Sequence, residues 1–373
     1  MNIISALLME LSAVAILSID VTASAVAEPP PQVEVDEDGT VHVPAFTIPP
    51  SSYMSEQATR SFVDKIRKAA ANDPAPSASI SEIRESVDKR MREKVKHLES
   101  LYPVNVEEQT ISGVRTDVVT PKEGVPPHHS ERVLINLHGG GLGVGAVWHG
   151  LAESIPISSI GKFKVVTVDY RMGPEYQFPA ASEDVSSVYS ALLKQYRARN
   201  IGIYGCSAGG SLSAMVIAWL EKEGKPLPGA LAMLSAAAFA GFAADPANAG
   251  SWGGDSRFFG PPLMGERQWV GPIPYLSKVD LRNPLVSPGV SPAVLARFPP
   301  TLLVTGTRAY DMSAAVQTQR ELTKVGVEAD LHLWDGLGHC FFLNEDLPES
   351  REAYDVVTKF FDSHLADHKT ARR

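Results

Sequence analysis

The stretch Gly205-Cys206-Ser207-Ala208-Gly209-Gly210 decides the fold, because it joins a short apolar run at 201–204 to an amphipathic segment at 211–221. This order is typical of a strand, a tight turn and a helix. Glycines flank the serine because side chains would obstruct so sharp a turn. The G-x-S-x-G pattern therefore predicts a nucleophile elbow, which lifts the hydroxyl of Ser207 clear of the sheet edge at the N-terminus of the next helix.

A glycine run lies upstream, where the apolar stretch 133–137 leads directly into His138-Gly139-Gly140-Gly141. A lone glycine triplet is most often a flexible loop, but in a chain that also has a nucleophile elbow a catalytic role is the better interpretation. Acyl transfer needs donors where a carbonyl oxygen becomes an anion, and glycines leave main-chain amides accessible. We expect the amides of Gly140, Gly141 and Ala208 to form this oxyanion hole.

His339 is the candidate general base. It follows the alternating, strand-like run 329–334 and stands in Gly338-His339-Cys340-Phe341-Phe342 near the end of the chain. An imidazole titrates near neutrality, so it can take a proton from Ser207 and return it to a leaving group. A histidine beside aromatic residues is also an ordinary core residue. Its position between the last strand and the last helix is, however, where enzymes with a nucleophile elbow place their base.

These motifs, together with 169–175 (Asp-Tyr-Arg-Met-Gly-Pro-Glu) and 178–181 (Phe-Pro-Ala-Ala), resemble the hormone-sensitive-lipase-like branch of the α/β-hydrolases. That branch contains carboxylesterases and lipases, and the likeness covers most of the chain. It implies an eight-stranded, mostly parallel sheet with helices on both faces and a helical cap over the site. It also implies hydrolysis of a small carboxylic ester with a short or medium acyl chain, no cofactor, and a homodimer.

The chain departs from this family at the acid of the triad, whose usual position aligns with Ala309. Asp311, two residues on, is the only carboxylate in the loop 306–311, and we expect it to orient the imidazole of His339. The competing interpretation is that Asp311 opens the helix predicted at 313–324, because aspartate is favoured at helix N-termini. Asp335 and the pair Glu183-Asp184 are less convincing acids.

The alanine at the usual acid position keeps a second class of function open. A protein of this fold that has lost a triad member can bind a ligand without turning it over. Within enzymes, lactones, amides and carbonates could use the same machinery, because the site fixes the reaction class whereas the cap selects the substrate.

A second departure is Cys206, which stands where the family usually has Asp or Thr. A small buried apolar residue explains it best. The only other cysteine, Cys340, is adjacent to His339, so formation of the triad would bring both thiols near one site. One pair does not make a disulfide framework, and we expect both cysteines to be reduced.

Composition excludes several other functions. The 373 residues are 44% hydrophobic, which is enough for a large core. A net charge of −9 without a basic stripe argues against nucleic acid as a partner. Neither H-E-x-x-H nor paired C-x-x-C is present, so no metal is expected, and a solvated turn explains His128-His129. A dinucleotide-binding loop fits only in its looser alanine-ended form, from Gly141 to Ala146, and leaves the elbow unexplained.

The N-terminal residues 1–27 resemble a secretory signal, with a largely apolar run at 3–17 and an A-x-A-like site at 25–27. The lack of an early Lys or Arg, together with Glu10 and Asp20, argues against it. We expect a periplasmic or secreted protein if this signal is used and a cytoplasmic one otherwise. The apolar run is too short and acidic for stable insertion in a membrane.

The remaining chain divides into five predicted segments. They are an extended arm or linker at 28–50, N-terminal cap helices at 51–102, the first part of the core at 103–239, a cap insertion at 240–282 and the second part of the core at 283–373. Within the insertion, aromatic residues could line an acyl pocket or pack the insertion onto the sheet. These aromatics are Trp252, Phe258, Phe259, Trp269 and Tyr275.

Overall fold

The structure is a computed structural model, which describes residues 33–37, 39, 41–42, 47–71, 79–240 and 274–365. The signal predicted at 1–27 and most of the cap insertion, including Trp252, Phe258, Phe259 and Trp269, lie outside the described residues. The chain divides into two units, Met1–Pro49 and Pro50–Arg373. In the first unit, the short strands Glu34–Val35 and Val41–His42 pair in antiparallel fashion.

In the described part of the second unit, eight strands form one sheet. The strands are β1 (Val104–Ile111), β2 (Val114–Pro121), β3 (Val133–Leu137), β4 (Lys164–Val168), β5 (Ile201–Cys206), β6 (Ala230–Leu234), β7 (Thr301–Gly306) and β8 (Ala329–Trp334). Their order in the sheet is β8-β7-β6-β5-β3-β4-β2-β1. Strand β2 pairs antiparallel with β1 and with β4, and the other neighbours are parallel. The predicted eight-stranded, mostly parallel sheet is thereby confirmed.

The central strands are apolar almost throughout because both faces of the sheet are covered. Successive side chains of a strand point to opposite faces. On β3, Ile135 therefore packs in one core cluster and Leu134 in the other. On β5, Ile203 and Tyr204 divide in the same way. Two cores, one on each side, hold the sheet rigid, and its carboxyl edge is where the site is built.

Helices cover the sheet. They are α1 (Glu56–Ala71), α2 (Ile80–Leu101), α3 (Ala146–Gly161), α4 (Ala180–Leu192), α5 (Ala208–Lys222), α6 (Pro292–Leu295), α7 (Met312–Lys324) and α8 (Pro348–His364). Short 3-10 turns occupy Pro127–His129, Ala198–Asn200, Pro274–Leu276, Pro288–Val290 and Phe341–Leu343. Helix α2 begins at a capping box in which Ser79 and Glu82 satisfy each other's backbone amides. Among the described residues, no helix has the length and apolarity needed to cross a bilayer.

Helix α2 is tied to the loops at the carboxyl edge of the sheet. Arg84 donates to the carbonyls of Gly143 at 2.8 Å and Gly173 at 2.7 Å, and it forms a bidentate pair with Glu175. About three turns further on, Lys94 donates to the carbonyl of Leu343 at 2.7 Å. A bidentate arginine fixes orientation as well as distance. The helix predicted as part of a cap thus spans the loops after β3, β4 and β8.

The solvated turn predicted at His128-His129 is wrong for one of its two residues. His128 is exposed, whereas His129 is buried with its ring stacked on Phe163. Its Nε2 contacts Asp362 at 2.8 Å. The apolar ring face drives the burial, and the carboxylate of α8 satisfies the nitrogen.

Candidate active site

Ser207 lies at the sharp turn between β5 and α5. Its backbone adopts φ 58° and ψ −123°, a conformation that a non-glycine residue rarely takes. Close backbone approach enforces the turn, because a Cβ at Gly209 would lie 1.8 Å from the carbonyl oxygen of Leu137 on β3. The Ser207 amide also donates to the carbonyl of Leu234 at the end of β6, at 2.8 Å. These contacts hold the serine at the carboxyl edge of the sheet.

His339 lies in the loop between β8 and α8, where its ring nitrogens contact the other two predicted residues. Nε2 lies 2.8 Å from Oγ of Ser207, and Nδ1 lies 2.6 Å from Oδ1 of Asp311. A carboxylate only accepts hydrogen bonds, so it selects the tautomer with the proton on Nδ1. Nε2 is then free of a proton and accepts from the serine hydroxyl. The three side chains are therefore arranged to move a proton off Ser207.

Asp311 is fully buried where α7 begins, two residues after the usual acid position of the family. Its Oδ2 accepts a hydrogen bond from Oγ1 of Thr305 at 2.7 Å. Its side chain makes no capping bond to α7, so helix capping does not account for its position. Ala309 is also buried and has no polar side-chain atom.

The other carboxylates weighed as the acid bond elsewhere. Oδ1 of Asp335 accepts from Oγ1 of Thr307 at 2.9 Å. Asp184 and Glu183 both accept from the guanidinium of Arg171, at 2.9 and 3.1 Å. Each therefore serves a local structural contact, and Asp311 is the carboxylate that contacts the imidazole.

The glycine run forms a tight loop after β3. Gly140 and Gly141 have φ values of 112° and 64°, and a Cβ at Gly140 would lie 2.1 Å from the carbonyl oxygen of Val144. No described residue accepts a hydrogen bond from the amide of Gly140, Gly141 or Ala208. Ala208 begins α5, so its amide is among those that a helix leaves without an intrahelical partner. These three amides are available to an oxyanion.

A buried glutamate, recognisable by no sequence motif, ties the glycine run to the elbow. Glu153 on α3 accepts hydrogen bonds from the amide of Gly139 at 2.8 Å, the amide of Cys206 at 3.2 Å and Nδ2 of Asn136 at 2.9 Å. Burial raises the pKa of Glu153 to about 8, although its donors lower it. The only sequence signal is a carboxylate inside the apolar stretch 151–155.

Two histidines share this buried region. Burial lowers the pKa of His138 to about 4 and that of His149 to about 3, so both are neutral at pH 7. Nε2 of His149 lies 3.8 Å from Glu153. The residues that the structure describes contain no group of three or more His, Cys, Asp or Glu placed to hold a metal ion.

The expectation of two reduced cysteines is wrong, because Cys206 and Cys340 are joined in a disulfide with their Cα atoms 6.6 Å apart. Cys206 precedes the elbow serine and Cys340 follows His339, so the contact between Ser207 and His339 also brings the sulfurs together. The amide of Cys340 donates to Oγ of the buried Ser235 at 2.9 Å, which further fixes this loop. The bridge fastens the histidine loop to the elbow.

We expect the double variant Cys206→Ser/Cys340→Ser to melt several degrees below the wild type. The bridge closes a loop across a sequence separation of 134 residues. In the chain-entropy account, a loop of this length stabilises the folded state by up to about 5 kcal/mol. Melting curves with and without a dithiol reductant provide the check. The reductant should lower the wild-type melting temperature toward that of the variant and leave the variant unchanged; two titratable thiols in the untreated wild type would contradict the bridge.

Comparison with known proteins adds independent information. Residues 134–343 match the sequence profile of a family described as alpha/beta hydrolase fold. An acetyl-hydrolase of Streptomyces hygroscopicus is 28% identical over 240 residues, covering 63% of this chain and 77% of that protein. The carboxylesterase/phospholipase LipF of Mycobacterium tuberculosis is 27% identical over 270 residues, covering 71% and 69%. The crystal structure of an esterase, E25, aligns with TM-score 0.71 and 28% identity, covering 87% of this chain and 98% of that one.

Proposed function

The chain belongs to the α/β-hydrolase fold family and, like its esterase relatives, is a carboxylic ester hydrolase, and from that premise we propose that Ser207, His339 and Asp311 are its catalytic triad. The observation that carries the proposal is the continuous chain of contacts from Oγ of Ser207 through both nitrogens of His339 to Asp311. Nucleophile, base and orienting acid are each within hydrogen-bond reach of the next.

The first half of the proposed reaction forms an acyl-enzyme. His339 Nε2 takes the hydroxyl proton as Oγ of Ser207 bonds to the ester carbonyl carbon, and the carbonyl π electrons move onto oxygen. The amides of Gly140, Gly141 and Ala208 donate to that oxyanion. When the carbonyl re-forms, the carbon–oxygen bond to the alcohol breaks and the alcohol leaves with the proton from Nε2.

The second half releases the acid. Water gives a proton to Nε2 while its oxygen bonds to the acyl carbon, and the collapse of this intermediate returns the proton to Oγ of Ser207. Asp311 holds the ring in one orientation and stabilises the imidazolium in both halves. No step requires a metal or a cofactor.

We propose carboxylic esters with a short or medium acyl chain as substrates. The acetyl-hydrolase among the relatives supports the short end of this range. Acyl length is set by pocket depth, and four of the five insertion aromatics named in the sequence analysis lie outside the described residues. The fifth, Tyr275, is buried and accepts a hydrogen bond from the amide of Ala181 at 2.8 Å, so it packs the insertion onto α4.

The alternative of a ligand-binding protein rested on Ala309 at the usual acid position. The contact between Asp311 and His339 supports turnover instead, because it places a carboxylate against Nδ1 of the imidazole. Lactones, amides and carbonates remain competitors for the natural substrate.

Release of p-nitrophenol from acyl esters between acetate and palmitate tests the proposed function. The purified protein should hydrolyse the shorter members fastest and fall off toward palmitate. Hydrolysis rates with matched lactone, amide and carbonate substrates in the same buffer show which substrate class the protein cleaves fastest. Saturable ligand binding by a folded protein without any turnover would overturn the proposal.

We further propose that the protein acts outside the cytoplasm. Disulfides persist in oxidising compartments, and the bridge from Cys206 to Cys340 agrees with the signal predicted at residues 1–27. N-terminal sequencing of the mature protein checks this. A chain that starts near Glu28 supports export, and one that starts at Met1 with free thiols contradicts it.

A further inference from the structure

A second hydroxyl contacts Nε2 of His339 besides that of Ser207. Oη of Tyr310 lies 2.9 Å from Nε2. The tyrosine ring stacks on the imidazole, with 4.3 Å between ring centroids and 28° between planes. Tyr310 is only 2% exposed, so its hydroxyl is shielded from bulk water. Two hydroxyls therefore converge on the nitrogen that exchanges protons in the proposed reaction.

We propose that Tyr310 is a further catalytic residue, which stabilises His339 while that histidine holds the proton of Ser207. The inference rests on the proposed function. Before proton transfer, Nε2 has one lone pair, and both hydroxyls donate toward it. After transfer, Nε2 carries a proton and the oxygen of Ser207 is bonded to the substrate carbon. The phenol oxygen of Tyr310, which is both donor and acceptor, then accepts from Nε2.

The contact strengthens when the imidazole becomes charged. A hydrogen bond from a charged donor is roughly twice as strong as one between neutral groups. A tyrosine ring face also attracts a cation stacked on it. Asp311 supplies the negative charge at the opposite nitrogen, and the mostly buried His149 stays neutral. An interaction that is stronger in the charged state lowers the barrier rather than the ground-state energy.

The tyrosine and the acid reach the imidazole from the same turn. Ala309, Tyr310 and Asp311 are consecutive residues of the turn that leads into α7. With the acid two places beyond its usual position, the turn presents Asp311 to Nδ1 and Tyr310 to Nε2. One turn thus contacts both nitrogens of the base.

The variant Tyr310→Phe tests the proposal because it removes Oη and keeps the ring. We expect kcat for p-nitrophenyl ester hydrolysis to fall about 10- to 100-fold, the usual cost of losing a hydrogen bond to a charged group. KM should change by less than about twofold, since the bond becomes charge-assisted only after substrate binding. Rates are expressed per active site titrated with a phosphonate, so that a smaller folded fraction does not count as lower activity.

The matched control is Tyr189→Phe, which removes another buried hydroxyl that donates to the carbonyl of Pro226 at 2.8 Å. This variant should keep the wild-type kcat per titrated site. An equal or higher kcat in Tyr310→Phe, with normal hydrolysis by the wild type, would show that Tyr310 only packs against the ring or competes with Ser207, and would overturn the proposal. Absence of hydrolysis by the wild type would instead refute the proposed function, and this inference with it.

Discussion

Replacing Ser207 with alanine should lower kcat for ester hydrolysis on the order of 10⁶-fold. The substitution removes the only atom of the elbow that bonds to the substrate carbon, so no acyl-enzyme forms. Residual turnover would come from water activated by His339 beside intact oxyanion donors. The fold should be retained, because the backbone contacts of the turn do not involve the hydroxyl. The measurement is p-nitrophenyl ester hydrolysis with a melting curve for each protein.

Ser211→Ala is the matched control for this result. Ser211 lies one helical turn further along α5, and its amide donates to the carbonyl of Ser207 at 3.0 Å. Its replacement removes a hydroxyl from the same helix without touching the triad and should leave kcat near the wild-type value. Hydrolysis by folded Ser207→Ala above ~1% of the wild-type rate would mean that another group is the nucleophile.

Replacing Asp311 with asparagine should lower kcat by about 10⁴-fold, the effect of equivalent changes in other triads. An amide nitrogen facing Nδ1 would donate to it, which forces the imidazole proton onto Nε2. That nitrogen could then no longer accept the proton of Ser207. Size and burial are preserved, so the loss reflects the tautomer and the missing charge rather than a cavity. Steady-state kinetics with the same ester series provides the measurement.

Asp335→Asn serves as the control, because Asp335 is the carboxylate nearest in sequence to His339 and bonds to Thr307. We expect it to retain near-normal turnover. The opposite ranking, with Asp311→Asn active and Asp335→Asn inactive, would reject Asp311 as the triad acid. It would return that residue to the role of a helix N-terminal residue.

The strands and the elbow were predictable from sequence because local patterns encode them. The buried strand β3 is a continuous apolar run and the edge strand β8 an alternating one, and both have the predicted bounds. Position 209 of the elbow must be glycine, because the carbonyl of Leu137 leaves no room for a side chain there. Such a local steric requirement appears in the sequence as a motif and can therefore be predicted from it.

Contacts between distant segments were not predictable in this way. Glu153 bonds to three groups from two strand ends, and nothing in its own helix records them. The pairing of Cys206 with Cys340 depends on the distance between two loops, which a count of cysteines does not contain. The contact of Tyr310 with Nε2 of His339 joins residues 29 positions apart, and no motif marks it.

The buried groups beneath the site couple the folding of this protein to proton exchange. Folding raises the pKa of Glu153 from its ordinary 4.5 to about 8, so its stabilising effect is complete below about pH 4.5 and is lost as the pH rises through about 8. Folding lowers the pKa of His138 and His149 from 6.5 to about 4 and about 3. The stabilisation of the folded state by these two neutral histidines is complete above about pH 6.5 and is lost as the pH falls.

The stabilising effect of Glu153 falls as the pH rises, whereas that of the two histidines grows. Together the three groups therefore add most to the free energy of unfolding near about pH 6.5. We expect the urea midpoint to be highest there and to decline on both sides, and a midpoint that rises steadily into alkaline buffer would contradict this. Ester hydrolysis releases a carboxylic acid at every turnover. In weak buffer the protein therefore acidifies its own surroundings, and its working lifetime is limited on the acidic side, where two histidines under the active site must each take up a proton.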